Sequence, residues 1–305
     1  MSRLTGLDFR DTLTDAVNEH NAEYAAVYAL SIRWASDDAR TVAAATQFQN
    51  ILEMLRLPEA TELTLDHSDR PPGWRVQEKL RDLLASAKRT TGRALVIVHY
   101  AGQGILTRNS PSVDLCDRLN IRRFEAFDAD TFLISLALPG HYDLRDTANV
   151  DVLFVFDCKY YFGVPRHSPP TTGTHVVEVL AAVDEEYSPA EPSLTEYLRK
   201  EIAVRQEKGA RYVEVADLVQ TMWGRSKSMK MTTSHSVKLG ASSICLPLAG
   251  LNEPVHSPSI APSLRALLTV QIADNVTREQ LDQLVSFIRD AGPEIGLILQ
   301  GILPC

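Results

Sequence analysis

Two short segments of this sequence carry the residues that could do chemistry. They are residues 100–104 (Tyr-Ala-Gly-Gln-Gly) and residues 157–161 (Asp-Cys-Lys-Tyr-Tyr). A cysteine thiolate is a nucleophile, and a lysine amine becomes one where its pKa is depressed. Backbone N–H groups beside glycine can hold an anion. The sequence therefore places any nucleophilic or anion-binding chemistry at these two segments.

Each segment follows an apolar run that predicts a buried strand. The runs are residues 94–100 and 152–156, and unbroken apolar runs are typical of strands that are covered on both faces. In an open α/β sheet, ligands bind beyond the carboxyl ends of the strands. We therefore expect both segments at one edge of a sheet, with Gly102 and Gly104 allowing a sharp turn around Gln103.

The rest of the chain alternates short apolar runs with amphipathic stretches, which predicts an α/β fold with a largely parallel sheet. Further strands are predicted at residues 25–32, 62–65, 175–180, 267–272 and 295–302. Helices are predicted at residues 41–57, after the Pro71-Pro72-Gly73 turn, at 194–204, from Val213 through Trp223, and at 277–291. Residues 162–174 and 224–240, which are rich in small and polar residues, are predicted as long loops.

Four stretches, in order, resemble motifs of the caspase-like peptidase domain, and more narrowly of the metacaspase-related domains common in fungal proteins. Residues 34–38 match Trp-x-x-Asp-Asp, residues 100–104 match Tyr-(Ser/Ala/Gly)-Gly-His-Gly, residues 157–159 match Asp-(Cys/Ser)-Cys, and residues 177–182 match Val-Glu-Val-Leu-Ala-Ala. The resemblance covers residues 25–247. It implies a caspase-like domain, residues 1–260, with a mainly parallel six-stranded sheet and helices on both faces. Residues 261–305 are predicted to form a C-terminal βαβ-like extension.

The sequence departs from the family at the two positions that do the chemistry. Gln103 stands where the family has its catalytic histidine, and Lys159 stands where it has its nucleophilic cysteine. A glutamine amide does not titrate near neutral pH, and a lysine ammonium is not a nucleophile. Losing one member of such a pair costs several orders of magnitude in rate. The resemblance therefore implies a catalytically inactive pseudo-peptidase that acts through protein binding as a scaffold, decoy or regulator, in a setting such as cell death or immunity.

Two other functions stay open at this stage. One is an active cysteine peptidase that uses a displaced dyad of Cys158 and His99 and cleaves after Arg or Lys. Side chains alternate between the faces of a strand, so Cys158 should point away from the nucleophile position, and both residues could simply belong to the core. The other is an anion-binding module formed by the glycine turn and Lys159.

The resemblance also names candidate binding residues. Family members stabilise the oxyanion with backbone N–H groups, and the matching residues are Gly104 and Lys159. Metacaspase-like members bind a basic substrate side chain with acidic residues, and the matching positions are Asp157 and either Asp37 or Asp38. Two alternatives remain: Asp157 could pair with Lys159, and Asp37 or Asp38 could cap the following helix.

Composition sets broad limits on function. The 305 residues include 31 Lys and Arg against 39 Asp and Glu, and the formal net charge of -8 argues against a broad nucleic-acid-binding face. No apolar run is long enough for a membrane span. The four cysteines form no C-x-x-C pair, and no His, Cys or Asp cluster has metal-ligand spacing. We therefore expect a cytoplasmic protein with protein partners, no bound metal and no cofactor.

Overall fold

The fold is described from a computed structural model of the chain. It describes residues 24–66, 71–106, 113–117, 126–138, 149–158, 175–183, 193–210, 212–225, 232–240, 243–248, 250–251, 277, 279 and 283. Lys159, the predicted loop at 162–174 and nearly all of the predicted extension at 261–305 lie outside these residues. Among the described residues, no helix has the length and apolar character needed to cross a membrane.

Strands and helices alternate along the chain. The strands are β1 (Tyr24–Trp34), β2 (Thr61–Leu65), β3 (Arg93–Leu106), β4 (Val113–Cys116), β5 (Ala126–Asp128), β6 (Val150–Cys158), β7 (Val177–Val183), β8 (Tyr212–Glu214), β9 (Thr232–Leu239) and β10 (Cys245–Pro247). The α-helices are α1 (Ala39–Met54), α2 (Pro72–Lys88), α3 (Ala129–Phe132), α4 (Leu194–Glu207) and α5 (Val215–Arg225), and a 3₁₀ turn covers Ile134–Ala137.

Six strands form the main sheet, in the order β2-β1-β3-β6-β7-β9. Neighbouring strands are parallel from β2 to β7, and the edge strand β9 is antiparallel to β7. Parallel strands of one sheet need crossover connections: α1 connects β1 to β2, and α2 connects β2 to β3. The predicted α/β fold with a mainly parallel six-stranded sheet is confirmed.

Helices cover both faces of this sheet and enclose two cores. On one face, α2 and α3 pack over the inward side chains of β1, β3 and β6, among them Trp34, Tyr100, Phe154 and Phe156. On the other face, α1, α4 and α5 pack over a second apolar cluster that includes Phe48. Burying a large apolar side chain contributes roughly 1.5–3 kcal/mol, so the two cores hold the strand ends in fixed positions.

Three elements differ from the sequence prediction. First, β3 does not turn at Gly102 but continues to Leu106 and pairs with β4 in an antiparallel hairpin that the sequence did not reveal. Second, the predicted loop at 224–240 contains the strand β9. Third, Val213 belongs to the short strand β8, which pairs with β10, and the helix begins only at Val215.

Candidate functional site

Residues 100–104 and 157–158, the described parts of the two chemistry-bearing segments, lie together at one edge of the sheet, as predicted. β3 and β6 are parallel neighbours, and their register pairs Ala101 with Asp157 and Gly102 with Cys158. Gln103 therefore lies beside the carboxyl end of β6. Lys159 follows Cys158 directly in the sequence but lies outside the described residues.

Gln103 is held in extended backbone by two buried aromatic side chains. It pairs with Cys116 of β4 and is partly buried. The Tyr100 hydroxyl donates to the Gln103 carbonyl oxygen at 2.9 Å and accepts from the Trp34 indole N–H at 3.2 Å. Burial raises the pKa of Tyr100 well above its usual value, and the nearby Cys158 and Asp37 side chains raise it further. The phenol therefore stays protonated and can donate. The structural role of Tyr100 was not predicted, although Trp34 and Tyr100 both lie in the matched motifs.

The two glycines allow close packing rather than a turn. A Cβ atom on Gly102 would lie 2.5 Å from the Tyr100 hydroxyl oxygen. A Cβ atom on Gly104 would lie 3.0 Å from Cγ1 of Val113 and 3.6 Å from the sulfur of Cys158. Because the backbone at Gly104 is part of the β3–β4 hairpin, the glycine turn that the sequence suggested for an anion-binding module is not formed.

Cys158 is a core thiol. Its side chain is 3% exposed and belongs to the cluster under α2 and α3, together with Phe154 and Phe156. Burial raises the pKa of Cys158 well above its usual value, and the neighbouring Asp157 carboxylate raises it further. A thiol in this environment is protonated and unreactive.

His99 lies on the opposite face of the sheet from Cys158. Its imidazole is fully buried and stacks on Phe48 of α1, with ring centroids 4.5 Å apart. Nδ1 lies 3.3 Å from the Ser31 hydroxyl, and Nε2 lies 3.2 Å from the Thr195 hydroxyl. Burial lowers the pKa of His99 from 6.5 to about 4, although Asp157 opposes the shift. The structure therefore does not bring His99 and Cys158 together.

Asp157 binds the N-terminus of α4. Its carboxylate accepts hydrogen bonds from the backbone N–H groups of Leu194 at 3.2 Å and Thr195 at 3.0 Å, and from the Thr195 hydroxyl. Ser193 is the N-cap of the same helix, and its hydroxyl accepts from the N–H of Glu196. The cap interaction of Asp157 with a helix more than thirty residues away could not be read from local sequence.

Asp37 and Asp38 both contact nearby backbone. Asp38 is the N-cap of α1 and accepts from the N–H of Thr41 at 3.0 Å, which is one of the two alternatives that the sequence left open. Asp37 accepts from the N–H of Trp34 at 2.6 Å. Among the residues that the structure describes, no group of three His, Cys, Asp or Glu side chains is arranged to hold a metal ion.

Comparisons with known proteins find similarity in structure only. No protein-family model matches the sequence, and no curated protein matches it. The Drosophila initiator caspase Dronc is similar over 70% of this chain and 80% of that chain, with 9% identity and a TM-score of 0.47. The crystal structure of drICE is similar over 74% of this chain and 96% of that chain, with 13% identity and a TM-score of 0.44.

A bacterial structure shows the same level of similarity. The protein GSU0716 from Geobacter sulfurreducens is similar over 75% of this chain and 95% of that chain, with 12% identity and a TM-score of 0.42. Identities and scores this low assign no activity, substrate or partner to this chain.

Proposed function

We propose that this chain is a caspase-like domain that has lost its peptidase activity and acts by binding other proteins. The proposal starts from Gln103 and Lys159, which stand at the family positions of the catalytic base and the nucleophile. The observation that carries it is the separation of Cys158 and His99, the nearest possible replacements, onto opposite faces of the sheet.

The chemistry of peptide cleavage explains why this separation matters. A cysteine peptidase needs a thiolate within hydrogen-bond reach of an imidazole that assists its deprotonation and then protonates the leaving amine. Cys158 is a protonated thiol in one core, and His99 is a neutral imidazole in the other. The sheet itself stands between them, so no rotamer change brings the two groups into contact.

The proposed binding surface is the edge of the sheet where β3 and β6 end. Gln103 and Gly104 lie there on a strand that the β4 hairpin and the Tyr100 hydroxyl hold in place. A fixed backbone reduces the ordering cost of binding. We propose that a protein partner contacts this edge. The resemblance to metacaspase-related domains of fungal proteins suggests a cytoplasmic role as a scaffold or decoy.

A peptidase assay tests the loss of activity. Purified wild-type protein is incubated with fluorogenic peptides ending in Arg or Lys, with and without calcium, beside the Cys158→Ala variant. We expect no turnover above buffer for either protein. Turnover by the wild type that disappears in Cys158→Ala would contradict the proposal.

Restoring the family residues tests whether the site is otherwise intact. The double variant Gln103→His with Lys159→Cys is treated with a thiol-directed peptide inhibitor, and intact mass shows any adduct. We expect an adduct on the double variant and none on the wild type or on Gln103→His alone. An adduct on the wild-type protein would show that a native thiol is already activated, against the proposal.

A site-specific photocrosslinker tests the proposed surface. The crosslinking residue replaces Gln103 in one variant and Glu62, an exposed residue on the edge strand β2, in the control. We expect a discrete protein adduct in cells for the first position that is absent from the second. The same adduct pattern at both positions would contradict binding at the end of β3.

A further inference from the structure

Four polar side chains, buried or partly buried, form a hydrogen-bonded series on the face of the sheet that α4 covers. It runs from Ser31 on β1 through His99 on β3 and Thr195 on α4 to Asp157 on β6. Ser31, His99 and Thr195 are each no more than 2% exposed. Buried polar groups are nearly always hydrogen-bonded, and each of these side chains lies within hydrogen-bond distance of the next, so the positions of the protons can be worked out.

The direction of each hydrogen bond in this series follows from the bond at its Asp157 end. The Asp157 carboxylate oxygen accepts from the Thr195 hydroxyl, so the single hydroxyl proton of Thr195 is used in this bond. The Thr195 oxygen must then accept from His99, which places a proton on Nε2. In a neutral imidazole the other nitrogen is an acceptor, so Nδ1 accepts from the Ser31 hydroxyl.

We propose that Asp157 is a positioning residue: through Thr195 it fixes His99 as the tautomer protonated at Nε2, and it thereby ties the first turn of α4 to β1 and β3. The inference rests on the described contacts and not on the proposed function. It gives Asp157 a role inside the fold, and the recognition of a basic side chain that the family resemblance implied stays a separate prediction.

The burial of His99 supports this arrangement. Its pKa is lowered to about 4, so the ring is neutral at neutral pH and must choose one tautomer. Stacking on Phe48 at an interplanar angle of 18° fixes the plane of the ring, with Nδ1 facing Ser31 and Nε2 facing Thr195. The two nitrogens therefore keep their separate partners, and a change at Asp157 is transmitted to the ring through the Thr195 hydroxyl.

Nitrogen-15 chemical shifts of the imidazole test the proposal, because protonated and unprotonated ring nitrogens have well-separated shifts. In the wild-type protein we expect a protonated Nε2 and an unprotonated Nδ1 for His99, assigned with a His99→Gln variant. Protonation at Nδ1 in the wild type would overturn the proposal.

Two variants test the transmission. Asp157→Ala frees the Thr195 proton to point at His99, so we expect the ring to shift toward protonation at Nδ1. Thr195→Val removes the oxygen that accepts from Nε2, and we expect the same shift, with Thr195→Ser restoring the wild-type spectrum. If Asp157→Ala keeps the wild-type tautomer, Asp157 does not set it, and if Thr195→Val keeps it, the effect does not pass through Thr195.

Ser193→Ala is the matched control, since it removes a cap from the same helix terminus but leaves all four side chains of the hydrogen-bonded series in place. We expect it to lower the unfolding midpoint but to leave the His99 shifts unchanged. A tautomer change in Ser193→Ala would mean that any damage to the α4 terminus disturbs His99, which would overturn a specific role for Asp157. If Asp157→Ala does not fold, Thr195→Val and Thr195→Ser still decide the question.

Discussion

Single residues at the carboxyl edge of the sheet show how closely this site is packed. The Tyr100 side chain folds over Gly102, and its hydroxyl joins the Trp34 indole to the Gln103 carbonyl. No side chain larger than hydrogen fits at position 102 without displacing that ring. The glycine in this motif therefore serves the packing of an aromatic network and not a phosphate- or anion-binding turn.

Gly102→Ala is expected to destabilise the protein by about 1–3 kcal/mol, because its Cβ would lie 2.5 Å from the Tyr100 oxygen and 2.8 Å from its Cζ. Removing the hydroxyl with Tyr100→Phe relieves the shorter contact, so the double variant should lose less than the sum of the two single variants. Urea unfolding of all four proteins measures this coupling. Strictly additive losses would mean that the two positions do not interact.

The buried His99 predicts a pH dependence of stability. Its pKa is lowered by burial from 6.5 to about 4, so the unfolded chain binds a proton over this range that the folded protein does not. The contribution is complete above pH 6.5 and is lost as the pH falls from 6.5 toward 4, by up to about 3 kcal/mol.

Urea midpoints between pH 7 and 4.5 check this contribution against a His99→Gln variant. Burial also lowers the pKa of His175, but that residue is present in both proteins and cancels in the comparison. We expect the variant to be less stable at pH 7 and to lose less stability on acidification. Parallel pH profiles for the two proteins would contradict the lowered pKa.

At the scale of the elements, the amino ends of the strands are joined by one buried carboxylate. Asp151 on β6 accepts from the Tyr24 hydroxyl of β1 at 2.6 Å, from Nε of Arg93 on β3 at 2.8 Å, and from the N–H of Val176 at 2.7 Å. Asp151 is fully buried, and the Arg93 side chain is 24% exposed. One side chain thus connects three strands and the segment that leads into β7.

Asp151→Asn is expected to cost about 3–5 kcal/mol, because it leaves the Arg93 guanidinium without its buried partner charge and turns one acceptor into a donor. The matched control is Asp66→Asn, whose side chain is 57% exposed in an ion pair with Arg75 and should cost at most about 1 kcal/mol. Urea unfolding compares the two variants. Equal, small losses would contradict the connecting role of Asp151.

The elements also show what local sequence could and could not predict. The β1, β3 and β6 strands and the α1, α2 and α4 helices follow from apolar runs and helical spacing, because these signals are local. The β9 strand was predicted as a loop, since its Ser- and Thr-rich sequence has little apolar character. It forms because it pairs with β7 and because His235 contacts the buried Glu178 carboxylate, and these are contacts between distant residues.

The candidate site was predictable to a similar degree. The meeting of residues 100–104 with the end of β6 follows from the rule for parallel strands, and the opposite faces of His99 and Cys158 follow from alternation along each strand. The β4 hairpin and the interaction of Asp157 with α4 depend on pairing across large sequence separations. A spacing argument within one segment contains no information on such pairs.

At the scale of the whole molecule, the sheet separates two closed cores, and each described cysteine lies inside the fold. Cys116, Cys158 and Cys245 are free and buried, and burial raises the pKa of each thiol, to about 11 for Cys116. A buried protonated thiol reacts only when the surrounding structure opens. Thiol labelling therefore tests two things: how readily the fold opens, and whether any of these thiols is an activated nucleophile.

In a Cys305→Ser background, which removes the one cysteine outside the described residues, we expect an aromatic disulfide reagent to label the native protein at least about 10³-fold more slowly than the urea-unfolded protein. Peptide mapping should find Cys116 labelled before Cys158, because β4 belongs to a small hairpin at the side of the main sheet whereas Cys158 ends a central strand. The rate at Cys158 should rise with urea in step with global unfolding. Rapid native labelling at Cys158 would mean that its thiol is accessible, and both the buried position and the inactive site that we infer from it would then be wrong.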